Sequence, residues 1–453
     1  MTSSERVMNR WLVVAGALII QISLGAVYIW SVFQTPLRRV FPGWSETAVT
    51  LPAQIVLASF ALAVIFGGRI QDRLGPRRVA TAGGAILGLG LILARFTGQM
   101  PETAALGWLI LTFAVLGGIG IGAAYVCPIA TCVKWFPDKR GLITGLAVAG
   151  FGAGAFFFAP LARGMISGTP YTLFGVRLFG LPELGVFNTF FALGVIFFVA
   201  VVAGAQFLRN PPPGYAPPGW TPPAPAAGAG SKVDYGPREM LKTPVFWILW
   251  ITYFAGCTAG LQVIMKASPI WQSFRISMAP PPVPAGDFTA ILTAGAVAVS
   301  ILAIFNSAGR ILWGRVSDGI GRKPALMIML LLCGLTMLAL DWMRAYPLYI
   351  LGIGVIGLCF GGFLAVYPAV TADYFGTKHL GVNYGWMFTA YGAGGLAGPY
   401  LAARLMRVAG DVPYVAEEEP EVVLALFEAG NYRVAFLVAA VLVKAMRPPV
   451  RAA

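Results

Sequence analysis

Apolar runs of about 20 residues recur along almost the whole chain, and they define its solvent before anything else. That is the length a helix needs to cross the hydrocarbon layer of a bilayer, about 30 Å at about 1.5 Å of rise per residue. Inside that layer backbone groups find no water, so only helices and closed barrels span it. Just 11% of the residues are charged, against about 25% in an ordinary soluble domain. The first run, from Trp11 onward, continues past the length of a signal-peptide core without a small-residue cleavage pattern, so it reads as a spanning helix.

The expected fold is therefore an all-α membrane protein with twelve transmembrane helices in two pseudo-symmetric six-helix bundles. The spans fall near 11–37, 46–67, 79–97, 105–133, 141–165 and 185–207, then 245–272, 288–313, 324–343, 347–373, 381–406 and 431–446. Between the sixth and seventh lies NPPPGYAPPGWTPPAPAAGAGSK, too rich in proline, alanine and glycine to form a core or a span. It divides the chain into an N-terminal bundle (1–207), a linker (208–243) and a C-terminal bundle (244–453).

The halves repeat one another. GRIQDRLGPRR (Gly68 to Arg78) is echoed by GRVSDGIGRK (Gly314 to Lys323), and WFPDKRGLITGLAVAGFGAG by YFGTKHLGVNYGWMFTAYGAG. The same order in both halves implies a parallel duplication about an axis normal to the membrane. In the first loop Asp72 is set to meet the amino end of a following helix, while Arg73, Arg77 and Arg78 reach nearby carboxylates and head groups. In the second, Asp318, Arg322 and Lys323 repeat the pattern, but Gly319 replaces the first arginine, so a weaker lock is expected there.

A formal net charge of +14 would suggest nucleic acid in a soluble chain; here most of the 32 basic residues fall in loops on one side. That excess marks the cytoplasmic face of a plasma (inner) membrane, with both termini on it, and leaves no role for nucleic acid. The five cysteines all lie in apolar spans without metal-ligand spacing and read as small core residues. Neither a metal or cofactor motif nor a nucleophile–base pair is apparent, which argues against an enzyme.

One cation stands inside the eighth span. Arginine in hydrocarbon costs somewhere between about 2.5 and about 17 kcal/mol, so it is normally kept for an anion or a counter-charge. Arg310 has no acid on its own turn: Asp318 lies about two turns on and Asp287 about a helix length back. Only four residues before Gly314, it belongs by length to the cytoplasmic half of its helix, its side chain reaching toward the midplane. A small anion is the expected occupant.

Six spans on each side of the linker, with GxxxDRxGxRR repeated between the second and third of each set, resemble the major facilitator superfamily along the whole chain. LGAVYIWSVFQTPLRRVF in the first span, NSAGRILWGRVSD in the eighth and NYGWMFTAYG in the eleventh resemble its oxalate/formate antiporter family and, more distantly, the monocarboxylate transporters. The resemblance implies that Arg310 is the ligand of the substrate carboxylate. Oxalate exchangers of this kind carry a lysine in the eleventh helix, where this chain has Tyr391; one cation suits a monoanion. Where animal monocarboxylate carriers have an acid one turn before the arginine, this chain has Asn306.

The expected function is proton-coupled symport of a small monocarboxylate such as L-lactate or pyruvate, by a chain that works as a monomer. The alternative is exchange of oxalate- or formate-type anions. Tyr125, Tyr391 and Asn306 are expected to complete a polar ring about Arg310, with Phe151 against the methyl end. Tyr28, Trp30 and Tyr367 are further cavity-lining candidates, although an aromatic in a membrane helix is also a common packing or interfacial residue. Asp287 paired with Lys266 is the candidate for proton coupling.

Overall fold

The computed structural model describes residues 8–405, apart from 174–175, 218, 220–233 and 279–284, together with 407–408 and 430–431. Eleven long helices lie among these residues. The first six are α1 (Arg10–Ile29), α2 (Glu46–Leu74), α3 (Pro76–Ala94), α4 (Glu102–Trp135), α5 (Arg140–Ser167) and α6 (Gly185–Ala205). The second set holds α7 (Pro244–Met278), α8 (Ala285–Ile320), α9 (Arg322–Ala339), α10 (Tyr346–Phe375) and α11 (Leu380–Leu405). The expected twelfth span falls almost wholly outside the described residues. Ten of the helices are long and apolar enough to cross a membrane.

Helix ends follow local chemistry. Asn9 caps α1 by accepting from the Trp11 amide, and Ser45 caps α2 by accepting from the Ala48 amide. α2 stops at Gly75 (φ +84°) and α8 at Gly321 (φ +91°), matching positions of the two repeats where a left-handed φ favours glycine. Pro76 then starts α3 at a position that needs no amide hydrogen.

These ends correct the expected boundaries. The eighth span does not stop at 313: Gly314 lies inside α8, which runs on to Ile320. Likewise Gly68 lies inside α2. Both glycines serve close packing instead. A Cβ on Gly68 would strike the Gly381 carbonyl, and one on Gly314 would strike that of Gly141. Arg310 therefore stands ten residues, about 15 Å, from the end of its helix, farther from that end than the expected boundary implied.

The seam between the halves is built mainly from two helix pairs, α5 with α8 and α2 with α11. At the end carrying the repeated loops, here called the motif end, each pair is latched by a carboxylate. Asp72 accepts from the amides of Gly381 (3.2 Å) and Val382 (3.0 Å) at the start of α11. Its helix N-terminus is thus in the opposite half and not the one that follows in sequence. Asp318 accepts from the amides of Gly141 (2.9 Å) and Leu142 (2.8 Å) at the start of α5.

The second latch, expected to be the weaker, makes the larger set of contacts. Arg322 pairs with Asp318 at 2.7 Å and with Asp373 at 2.8 Å, and Arg140 reaches Asp373 across the seam at 2.8 Å. Arg140 and Asp373 stand in for the missing arginine. In the first copy Arg77 turns to Gln206, just past the end of α6 (2.7 Å); Arg73 and Arg78 are exposed, and Lys323 is half-buried.

Candidate functional site

Arg310 is completely buried, on the face of α8 that meets α5. α5 is shaped around it. Gly145 lets the helices touch at the Arg310 backbone carbonyl, where a Cβ would collide. Gly152, two turns on, clears the guanidinium, whose Cζ and Nε would lie 3.3 Å from an added Cβ. Between them the Val148 carbonyl accepts from Arg310 Nη1 at 2.6 Å. One turn back on α8, Asn306 Oδ1 accepts a longer bond from Nε at 3.4 Å, and Gly361 on α10 leaves room for the Asn306 backbone. Nη2 has no partner. Among the described residues no acid forms an ion pair with Arg310.

Over the guanidinium lies an aromatic cage. The Phe151 ring is 5.9 Å from Arg310 Cζ, and Tyr28 packs edge-on against it at 5.4 Å. Gly25, in the tight turn holding Tyr28, allows that approach because a side chain there would strike the Phe151 carbonyl. Tyr28 and Tyr391 share a hydrogen bond between their hydroxyls, joining α1 to α11 across the seam. Tyr125 touches Phe151 at 5.2 Å, and Phe60 touches Tyr125 at 5.0 Å and Phe151 at 5.8 Å. Phe388 closes the ring, stacked on Tyr391 at 4.7 Å and 5.0 Å from Tyr125.

Six sequence-chosen residues therefore meet: Arg310, Asn306, Tyr125, Tyr391, Phe151 and Tyr28. Two do not. Trp30 donates to the Val49 carbonyl (2.9 Å) and packs with Phe33, Phe113 and Phe190 inside the first half. Tyr367 donates to Thr252 Oγ1 (2.7 Å) and stacks on Tyr253 at 4.1 Å, between α10 and α7. Neither side chain joins the cage around Arg310. The side chains of Lys266 and Asp287 lie outside the described residues. Phe60 and Phe388 were not singled out; Phe388 is one turn before Tyr391, and that spacing was the available signal.

Two bundles latched at one end, with a buried cation and a polar–aromatic cage on their seam, define a membrane transporter, not an enzyme. The family model of the Major Facilitator Superfamily matches residues 7–279 and 272–445, and the chain belongs to that superfamily, whose fold is two six-helix halves. It is 28% identical over 409 residues to an oxalate:formate antiporter of Oxalobacter formigenes, covering 88% of this chain and 85% of that one. It is also 28% identical over 406 residues to apicoplast pyruvate carrier 1 of Toxoplasma gondii, covering 81% and 71%. The solved structure of the proton:xylose symporter XylE bound to 6-bromo-6-deoxy-D-glucose matches in fold, with TM-score 0.64 at 12% identity, over 97% of this chain and 94% of that one.

Proposed function

We propose that this chain carries small monocarboxylates, lactate and pyruvate among them, across the plasma membrane by alternating access, each with a proton. The observation that carries the reading is Arg310: buried on the seam, without an ion pair among the described residues, and with Nη2 uncommitted. An unpaired buried guanidinium is expensive and is offset when a carboxylate arrives, whose two oxygens match its fork. The cage of Phe60, Phe151 and Phe388 leaves the short carbon chain an apolar wall.

Binding and movement are linked through one bond. Arg310 belongs to the second half and Val148 to the first. A carboxylate that takes the guanidinium competes with the Val148 carbonyl and loosens the seam where α5 meets α8. The neutralised pair then recrosses at lower cost than a bare charge. The motif end is the cytoplasmic end, with both termini on it, and one copy suffices. Protonation of Asp287, releasing Lys266, supplies the coupling; pH-dependent uptake that survives Asp287→Asn removes that assignment.

The test is uptake of labelled L-lactate into proteoliposomes, with and without an inward proton gradient, for wild type and Arg310→Lys. Lysine keeps the charge and loses the fork. Forfeiting one charge-assisted bond, at about 1.5–3 kcal/mol, lowers kcat/KM about ten- to a hundredfold. Undiminished uptake by Arg310→Lys overturns the site. The second reading, exchange of oxalate- or formate-type anions, is favoured by the antiporter relative. It requires an internal anion and indifference to the proton gradient.

A further inference from the structure

The link between α5 and α6 holds a two-stranded antiparallel hairpin, β1 (Tyr171–Leu173) with β2 (Val176–Phe179). It does not rise from the end of α5 but folds back along it. The Tyr171 hydroxyl donates to the Phe157 carbonyl at 3.2 Å, ten residues, about 15 Å, before the helix ends at Ser167. An added Cβ on Gly164 would strike the Thr169 carbonyl and the Leu181 side chain, and the Leu184 amide donates to the Met165 carbonyl at 2.7 Å. Phe157 and Gly164, seven residues apart, share a face of α5. Val148 lies nine residues before Phe157, two and a half turns away, and so stands on the opposite face, against Arg310. The hairpin therefore sits on the outside of the bundle, away from the candidate site.

Its second strand is uncovered. Val176, Leu178 and Phe179 are 59%, 54% and 50% exposed, and Arg177 is exposed with them. Successive side chains of a strand point to opposite faces, so neither face of β2 is buried, although Phe179 stacks on Tyr171 at 4.9 Å. A lone hairpin is marginal in water, and this one turns three large apolar side chains outward. Depth tells what covers them. α5 starts among the ionic latches of the motif end and is 28 residues, about 42 Å, long, so it outruns a hydrocarbon layer of about 30 Å. Its last turns, and the hairpin beside them, stand where hydrocarbon gives way to head groups in the leaflet opposite the motif end. Phe157, 38% exposed on the same face of α5, continues the apolar surface into the hydrocarbon.

We infer that β2 is a bilayer anchor: Val176, Leu178 and Phe179 enter the boundary between head groups and acyl chains, and Arg177 extends to lipid phosphate. So seated, the hairpin fixes the depth of α5, the helix that presents Val148 to Arg310, by a contact outside the seam.

The experiment places a nitroxide at Leu178→Cys, and separately at Val176→Cys, in the full chain with its five native cysteines replaced by alanine, reconstituted into phosphatidylcholine vesicles. The readout is the ratio of its collision rates with oxygen, which enters hydrocarbon, and with a polar nickel chelate, which does not. Val199→Cys, 58% exposed within the span of α6, and Lys378→Cys, exposed in the loop before α11, give the lipid and water limits. Because a polar complex is excluded from an apolar medium, the ratio at both hairpin positions is expected to exceed that at Lys378 about tenfold. A ratio equal to that at Lys378 puts the hairpin in water and overturns the anchor. A label shielded from both reagents is covered by protein, a second copy of the chain included, and overturns it as well. Two positions are used so that one poorly folded variant does not decide the result.

Discussion

The two latches provide the sharpest test of how the seam is held. Asp318→Asn keeps the shape of the side chain and one acceptor oxygen. It removes the charge that two amides of α5, at 2.9 and 2.8 Å, and the Arg322 guanidinium now share. A hydrogen bond to a charged acceptor contributes about 1.5–3 kcal/mol, and an anion at a partly buried helix N-terminus up to about 2 kcal/mol. The Arg322 pair adds little, being partly solvated with side chains 14% and 22% exposed. Because these contributions overlap and one oxygen remains, the loss is about 2–3 kcal/mol, about thirty- to a hundredfold in the ratio of latched to open chains. Asp72→Asn loses two longer amide bonds, at 3.2 and 3.0 Å, and should shift the ratio less, about tenfold.

A buried thiol reports the open fraction. Thr144 is completely buried on α5, on the face shared with Gly141, Gly145 and Val148 that meets α8. In a chain whose five native cysteines, all buried, are replaced by alanine, Thr144→Cys reacts with an impermeant maleimide only when the motif end opens. When opening and closing outrun labelling, the rate follows the open population. Asp318→Asn should label about thirty- to a hundredfold faster. A rise below threefold, or a larger one for Asp72→Asn, refutes the ranking of the latches.

Two smaller changes probe the packing. Gly145→Ala places a methyl group against the Arg310 carbonyl; overpacking at this level costs about 1–3 kcal/mol and should lower the melting temperature in detergent, while Gly107→Ala, with open space around it, should leave it nearly unchanged. Phe60→Leu thins the cage beside Phe151 and Tyr125, so a four-carbon monocarboxylate should gain on its three-carbon homologue by about fourfold in competition for uptake, the worth of one buried CH₂.

What could be read from the chain beforehand divides along physical lines. Length and hydropathy identify helices because a spanning segment must satisfy its own backbone, and the repeat reveals two halves because duplicated loops keep their acids and glycines. Arg310 announces itself because charge in hydrocarbon is rare. Gly68 and Gly314 misled the boundaries for a definable reason: glycine marks both helix ends and close approaches, and only φ tells them apart. At Gly75 and Gly321 φ is positive; at Gly68 and Gly314 the helix simply continues against another backbone.

Aromatics are the harder case. Tyr28 lies at the end of α1 and Trp30 directly after it, two residues apart, yet Trp30 packs among Phe33, Phe113 and Phe190 while Tyr28 bonds Tyr391 across the seam. The backbone here is a tight 3-10 turn with about three residues per turn, so two residues along it point about 240° apart and one of the pair is sent away from the cage. The face is decided by neighbours distant in sequence: Gly25 against Phe151 turns Tyr28 inward. The same reasoning explains Val148. Nothing about a valine signals a ligand, because its contribution is a backbone carbonyl, exposed to Arg310 by the missing side chains of Gly145 and Gly152. The glycine-rich stretch of α5 thus does more than let two bundles rock. It presents a backbone acceptor to the buried Arg310 on the seam, so that the group expected to bind substrate is also one that holds the halves together.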